Sequence, residues 1–112
     1  MSQITSHILD TTVGKPAIGV SVILYEFKNN DWLQIAANVT NHDGRVPDLL
    51  NDDVMLSPGS YKIKFLTREY FDRSSVATFY PFIEIIFEVT SKEHYHIPLL
   101  LNPFGYTTYR GS

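Results

Sequence analysis

The sequence predicts an all-β sandwich carrying one short helix, and three observations lead there. Runs rich in β-branched and aromatic residues recur along the chain, separated by turn signals at the ~8–12-residue spacing of a sandwich. Apolar/polar alternation, clearest in Tyr61-Lys62-Ile63-Lys64-Phe65, marks strands that bury one face. A single stretch, Thr67 to Ser74, has helical character. With 112 residues, 44% of them hydrophobic and 19% charged, the chain can bury a proper core as one domain spanning 1–112.

Taken in order, Ile4 and Ile8 and their neighbours read as a first strand, with His7 on the same face as Thr5 and Leu9. Gly14-Lys15-Pro16-Ala17 is turn material that ends it. Val20 to Phe27 forms a second strand, Asn29-Asn30-Asp31 a hairpin turn, and Trp32 to Val39 a third strand. In Asn41-His42-Asp43-Gly44 the glycine supplies the φ > 0 position of a turn. Arg45 and Val46 make only a short strand, because Pro47 has no donor for a ladder. Leu49 to Ser57 reads as loop, and Tyr61 to Phe65 as a strand. Thr67 is placed to cap the helix through Ser74. Ile83, Ile85, Phe87 and Val89 alternate in a strand over Phe82 to Val89. Ser91-Lys92-Glu93 then turns the chain into a strand beginning near His94, and Asn102-Pro103-Phe104-Gly105 into the last one. Counted this way, there are about eight strands.

Composition narrows the function classes. A formal charge of −3 and the lack of a basic run give no electrostatic case for nucleic acid or an anionic membrane. The absence of cysteine removes disulfides and thiolate chemistry. No apolar run approaches the roughly 20 residues of a membrane helix. The first residues lack a signal peptide's basic and apolar regions, and Gly111-Ser112 is not a peroxisomal address. A cytoplasmic enzyme or binding protein is the expectation.

The tail is where chemistry concentrates. In His94-Tyr95-His96-Ile97-Pro98-Leu99-Leu100-Leu101, strand alternation puts Tyr95, Ile97, Leu99 and Leu101 on a core face. His94 and His96 share the other face with Pro98 and Leu100. The sequence then closes on Tyr109-Arg110-Gly111-Ser112, which would set an arginine and a carboxylate near a histidine. Ile86 and Leu100 are apolar on the faces opposite the core sets, a pattern that covers subunit interfaces. Three chemistries fit these residues. His94 and His96 at i and i+2, with His7 or His42, are weak candidates for a metal site, since no carboxylate stands at a supporting spacing. A satisfied His96, a solvent-facing His94 and a solvated Arg110 would be structural only. Metal-free hydrolysis would use a neutral imidazole as base and a guanidinium to anchor an oxygen-rich substrate. Neither a Ser-His-Asp arrangement nor a Gly-rich phosphate loop is present.

The chain resembles the transthyretin-like family, and within it the 5-hydroxyisourate hydrolase branch. The resemblance is carried by His7-Ile8-Leu9-Asp10-Thr11, Gly14-Lys15-Pro16-Ala17 and Thr40-Asn41-His42-Asp43-Gly44-Arg45. It continues through Phe79-Tyr80-Pro81, His94 to Pro103 and the terminal Tyr109-Arg110-Gly111-Ser112. The hormone carriers of the family share the fold without that tetrapeptide. The resemblance implies an eight-stranded sandwich of two four-stranded sheets, assembled as a homotetramer (a dimer of dimers) with sites in its central channel. It implies hydrolytic opening of 5-hydroxyisourate without metal or organic cofactor. The catalytic residues it implies are His7, Arg45 and His96, with Tyr109, Arg110 and Ser112 binding substrate. Which of His7 and His96 is the general base the sequence leaves open; His7 is the assignment preferred here. The alternative is a small-ligand carrier using the same channel.

Overall fold

The computed structural model describes residues 2–112; Met1, the first residue of the predicted domain, lies outside the described residues. Nine strands and one helix follow each other as β1 (Ile4–Asp10), β2 (Lys15–Pro16), β3 (Ser21–Lys28), β4 (Asp31–Val39), β5 (Arg45–Val46), β6 (Gly59–Phe65), α1 (Thr67–Asp72), β7 (Ile83–Val89), β8 (Tyr95–Asn102) and β9 (Gly105–Thr108). One sheet has the order β4-β3-β6-β7, antiparallel throughout. The other runs β2-β1-β8-β9, with β5 also on β1, and its central β1–β8 pair is parallel.

The count of strands differs from the expected eight because Lys15 and Pro16 pair with Asp10 and Leu9 rather than only turning the chain. Two residues are too few to show alternation, and proline is tolerated on a sheet edge. β2 and β5 take successive stretches of the same edge of β1, so the five-stranded sheet is still only four strands wide. The β3–β4 hairpin closes through Asn29 and Asn30, both at positive φ (53° and 63°), as a two-residue turn requires.

The helix is shorter than expected and is not capped by Thr67. Its N-cap is Leu66, without a side-chain cap, and the helix ends at Asp72. The cause lies in β6: the Leu66 amide still donates to the Ser21 carbonyl at 3.0 Å, so the chain passes from the ladder straight into the helix. Thr67 becomes a buried helical residue whose hydroxyl has no hydrogen-bond partner among the described residues.

Between the sheets, Ile4, Ile8, Leu99 and Leu101 meet Val22, Leu24, Ile63 and Phe65, all essentially inaccessible. These are the inward positions that alternation assigns. Their partners in alternation on β1 and β8 therefore line the outer face of the mixed sheet, where the polar cluster described next is found. Of the two residues the two-faced apolar pattern pointed to, Ile86 is exposed and Leu100 half-buried; Phe104 and Tyr106 add further exposed apolar surface.

Candidate active site

Three elements deliver the cluster. On β1, Thr5 and His7 point outward between the buried Ile4, Ser6 and Ile8. Parallel pairing sets Thr5 beside His96 and His7 beside Pro98 of β8. On the opposite edge of β1, the β5 register sets Arg45 directly across from His7 and turns Val46 into the core.

The turn before β5 determines where that guanidinium lies. Asn41 Oδ1 accepts from the amides of Asp43 (2.9 Å) and Arg45 (3.1 Å), and the Asn41 carbonyl accepts from the Gly44 amide (2.9 Å). Gly44 sits at φ 71°, and its carbonyl accepts from the Ile8 amide at 2.8 Å. A Cβ there would lie 2.5 Å from the Ile8 carbonyl oxygen, so only glycine lets the turn close onto β1. His42 stays exposed in this turn, 3.5 Å from Asp43.

The tail completes the cluster. After β9 the chain continues alongside β8: pairing with β9 stops at Leu99–Thr108 and resumes as an isolated bridge between His96 and Gly111. Pro98, which has no amide hydrogen to offer, lies in the gap. The Gly111 amide donates to the His96 carbonyl at 2.8 Å. Gly111 also lies against the imidazole, since a Cβ on it would come 2.6 Å from His96 Cδ2 and 3.1 Å from Pro98 Cγ. A glycine at this position is thus explained by close approach to a ring.

A cavity of about 220 Å³ opens where these pieces meet, lined by Thr5, Ser6, Arg45, Pro47, His94, His96 and Ser112. Among the expected site residues, Arg45, His96 and Ser112 converge there, with His7 next to Arg45 through its register. Tyr109 and Arg110 lie elsewhere. Both line a separate cavity of about 370 Å³ between β7 and the tail, which His96 also borders. Arg110 donates to Glu93 at 2.6 Å and rests over the Tyr95 ring, while Tyr109 is 58% exposed.

Thr5 is a contact that reading the sequence did not single out, and His94, weighed there as a weak metal ligand or a solvent-facing residue, is half-buried beside it. Thr5 Oγ1 lies 2.7 Å from His96 Nδ1 and 2.8 Å from His94 Nε2, and the two rings stack with centroids 6.2 Å apart. Alternation places Thr5 on the face of His7, a signal present in the sequence. Its contact with His96 depends on a parallel register between residues 91 positions apart.

The electrostatics keep the imidazoles uncharged. His7 has its pKa lowered below 6.5 by burial and by the Arg45 charge, with Asp43 partly opposing. His96 is lowered by burial, then by Arg45, His94 and His7; a main-chain hydrogen bond to Thr5 opposes the shift. At neutral pH both are bases with a free lone pair beside a permanent cation. Among the described residues no three His, Cys, Asp or Glu side chains gather as a metal site would require.

The fold and this outward cluster define a two-sheet sandwich with an imidazole–guanidinium site on one sheet face. The chain belongs to the HIUase/Transthyretin family, whose sequence model matches residues 4–111. It is similar to the 5-hydroxyisourate hydrolase of Salmonella typhimurium, at 45% identity over 107 residues, covering 95% of this chain and 78% of that one. The structure of Klebsiella pneumoniae 5-hydroxyisourate hydrolase superposes with a TM-score of 0.86 at 33% identity, covering 97% of this chain and 98% of the other. Sea bream transthyretin in complex with thyroxine superposes at 0.91 with 29% identity, covering 98% and 95%. Enzyme and carrier share the backbone, so side chains must separate the two functions.

Proposed function

We propose that this chain is a 5-hydroxyisourate hydrolase that works without a metal or organic cofactor. The observation that carries the proposal is the convergence of Arg45, His96 and Ser112 on one cavity, with His7 beside Arg45. Water attacks a ring acyl carbon. One imidazole of the His7–His96 pair takes a proton from that water as the carbon–oxygen bond forms. Arg45 binds the substrate's oxygens and stabilises the oxyanion that develops. Collapse breaks the carbon–nitrogen bond, and the proton passes to the leaving nitrogen. A general base of this kind contributes ~10²–10⁴-fold. Ser112 is positioned to contact substrate, and Arg110, paired with Glu93, would serve by holding the tail. Tyr109, exposed in the isolated chain, would close the site once subunits assemble.

The assembly proposed is a homotetramer, a dimer of dimers with the His7–His96 face lining its channel, in the cytoplasm. The exposed Ile86, Phe104, Tyr106 and Tyr109 supply apolar surface for such contacts. No helix among the described residues is long and apolar enough to cross a membrane. A small-ligand carrier would want an apolar bore, whereas this cavity is bordered by a guanidinium and two imidazoles.

The test is direct. Urate and urate oxidase generate 5-hydroxyisourate in a cuvette, and its near-ultraviolet band is followed with and without the protein. Decay faster than the spontaneous rate is expected, and it should survive dialysis against a strong chelator. Decay at background with a correctly assembled protein would remove the enzyme assignment; a rate that falls on chelation and returns with zinc would remove the metal-free one.

A further inference from the structure

One hydroxyl stands between two histidines of this site, and hydrogen-bond accounting limits how it can be shared. Thr5 Oγ1 is 2.7 Å from His96 Nδ1 and 2.8 Å from His94 Nε2. A threonine hydroxyl has a single proton, so it donates to one ring and accepts from the other. The direction follows from the cavity. Nδ1 is the ring nitrogen held by the Thr5 hydroxyl, so a His96 that serves as base toward the cavity must keep Nε2 bare and carry its proton on Nδ1. With Nδ1–H donated toward Thr5, the hydroxyl is left to donate to His94 Nε2.

We infer that Thr5 is a positioning residue that locks neutral His96 in its Nδ1–H form, with His94 as the acceptor at the outer end of the chain. The consequence falls on the opposite nitrogen. Nδ1 is tied to Thr5, the Cδ2 edge abuts Gly111, and no described residue bonds Nε2. The ring borders the cavity that holds Arg45 and Ser112. The bare lone pair is therefore the one available to a water in that cavity. When Nε2 takes a proton, the positive charge is shared along Nδ1–H to Thr5 and on to His94, and the ring does not have to turn. This deepens the hydrolase proposal and rests on it for its catalytic meaning: it gives the base to His96 and leaves His7 to face the substrate with Arg45. The chain performs the orienting task that a carboxylate performs in a Ser-His-Asp arrangement, without burying another charge.

The test uses the full-length protein labelled with ¹⁵N at histidine. Long-range ¹H–¹⁵N correlation spectra report which nitrogen of each ring carries the proton. The expected result is His96 protonated on Nδ1 and bare on Nε2 at neutral pH, with His94 bare on Nε2. In Thr5→Val, which keeps the shape and loses the hydroxyl, His96 should shift toward the Nε2–H form. There kcat should fall by about 10²-fold with KM changing by less than about threefold. Thr5→Ser should restore both the tautomer and most of kcat. The acid limb of the rate profile should also move to lower pH in Thr5→Val, because the imidazolium loses an acceptor while Arg45, His7, His94 and Ser112 all remain. His96 found with its proton on Nε2 in the unmodified protein would overturn the inference, as would a Thr5→Val protein that keeps both tautomer and kcat. The spectrum does not depend on turnover, so an inactive protein with the expected tautomer would sink the hydrolase proposal alone. Should Thr5→Val fail to fold, the unmodified protein's spectrum decides.

Discussion

Gly111→Ala is a one-carbon test of whether the tail positions His96. Ordinary van der Waals contact begins at 3.4 Å, and the added Cβ would stand 2.6 Å from His96 Cδ2 and 3.1 Å from Pro98 Cγ. The ring or the tail must therefore yield by about 0.8 Å, close to the ~1 Å misplacement that can lower a rate by about 10²-fold. Pro98 is buried within β8 and cannot move aside, so the displacement falls on the imidazole or on the main chain that bonds it. Gly111 does not have a positive φ, so alanine brings no backbone strain, and neither Gly111 nor His96 is among the buried core residues. The expected outcome is kcat/KM lowered by about 10²-fold in the 5-hydroxyisourate decay assay, with Tm within about 3 °C of the unmodified protein. Gly105→Ala is the matched control, because its Cβ would meet nothing nearer than Asn102 Nδ2 at 3.6 Å. Activity retained within about twofold in Gly111→Ala, or lost only in proportion to Tm, would refute the packing argument.

Further outcomes follow from the same geometry. His96→Ala and Arg45→Ala should each remove most of the activity while the protein elutes at its native size, measured by gel filtration beside the decay assay. The rate should fall on the acid side, as protons quench the imidazole base, and the fall should be centred below pH 6.5 because burial and Arg45 lower the pKa of His7 and His96. Stability should follow the same sign: both groups bind protons more weakly folded than unfolded, so thermal stability is fullest above pH 6.5 and declines as pH drops through it. Leu99→Ala, on the inner face of the strand that carries His96, should cost about 2–5 kcal/mol in denaturant unfolding, because Leu99 is fully buried. A stability loss of that size from His96→Ala instead would mean that the strand's two faces are assigned the wrong way round.

How much was legible beforehand differs by residue. Alternation alone separated His96, Pro98 and Leu100 from Tyr95, Ile97, Leu99 and Leu101, and separated Thr5 and His7 from Ile4 and Ile8, because a strand's side chains change face at every step. Asp43-Gly44 was readable as a turn because positive φ is cheap only for glycine. The roles of Arg45, His7 and the tail came through resemblance, not from spacing. Thr67 misled because capping is a local preference, whereas the ladder bond from Leu66 to Ser21 is a tertiary one. Lys15 and Pro16 misled because two residues carry no period.

What this sequence determined by itself is therefore the sandwich, the faces of its strands and the residue types available for chemistry. All of these are local properties of the chain. Only the tertiary structure could decide which outward side chains meet. Thr5 reaches His94 and His96 because β1 lies parallel to β8, and His7 faces Arg45 because β5 takes the other edge of β1. The tail folds back until Gly111 touches His96, and in doing so carries Arg110 toward Glu93. Register between distant strands is set by the packing of the whole core, and no short window of sequence contains it.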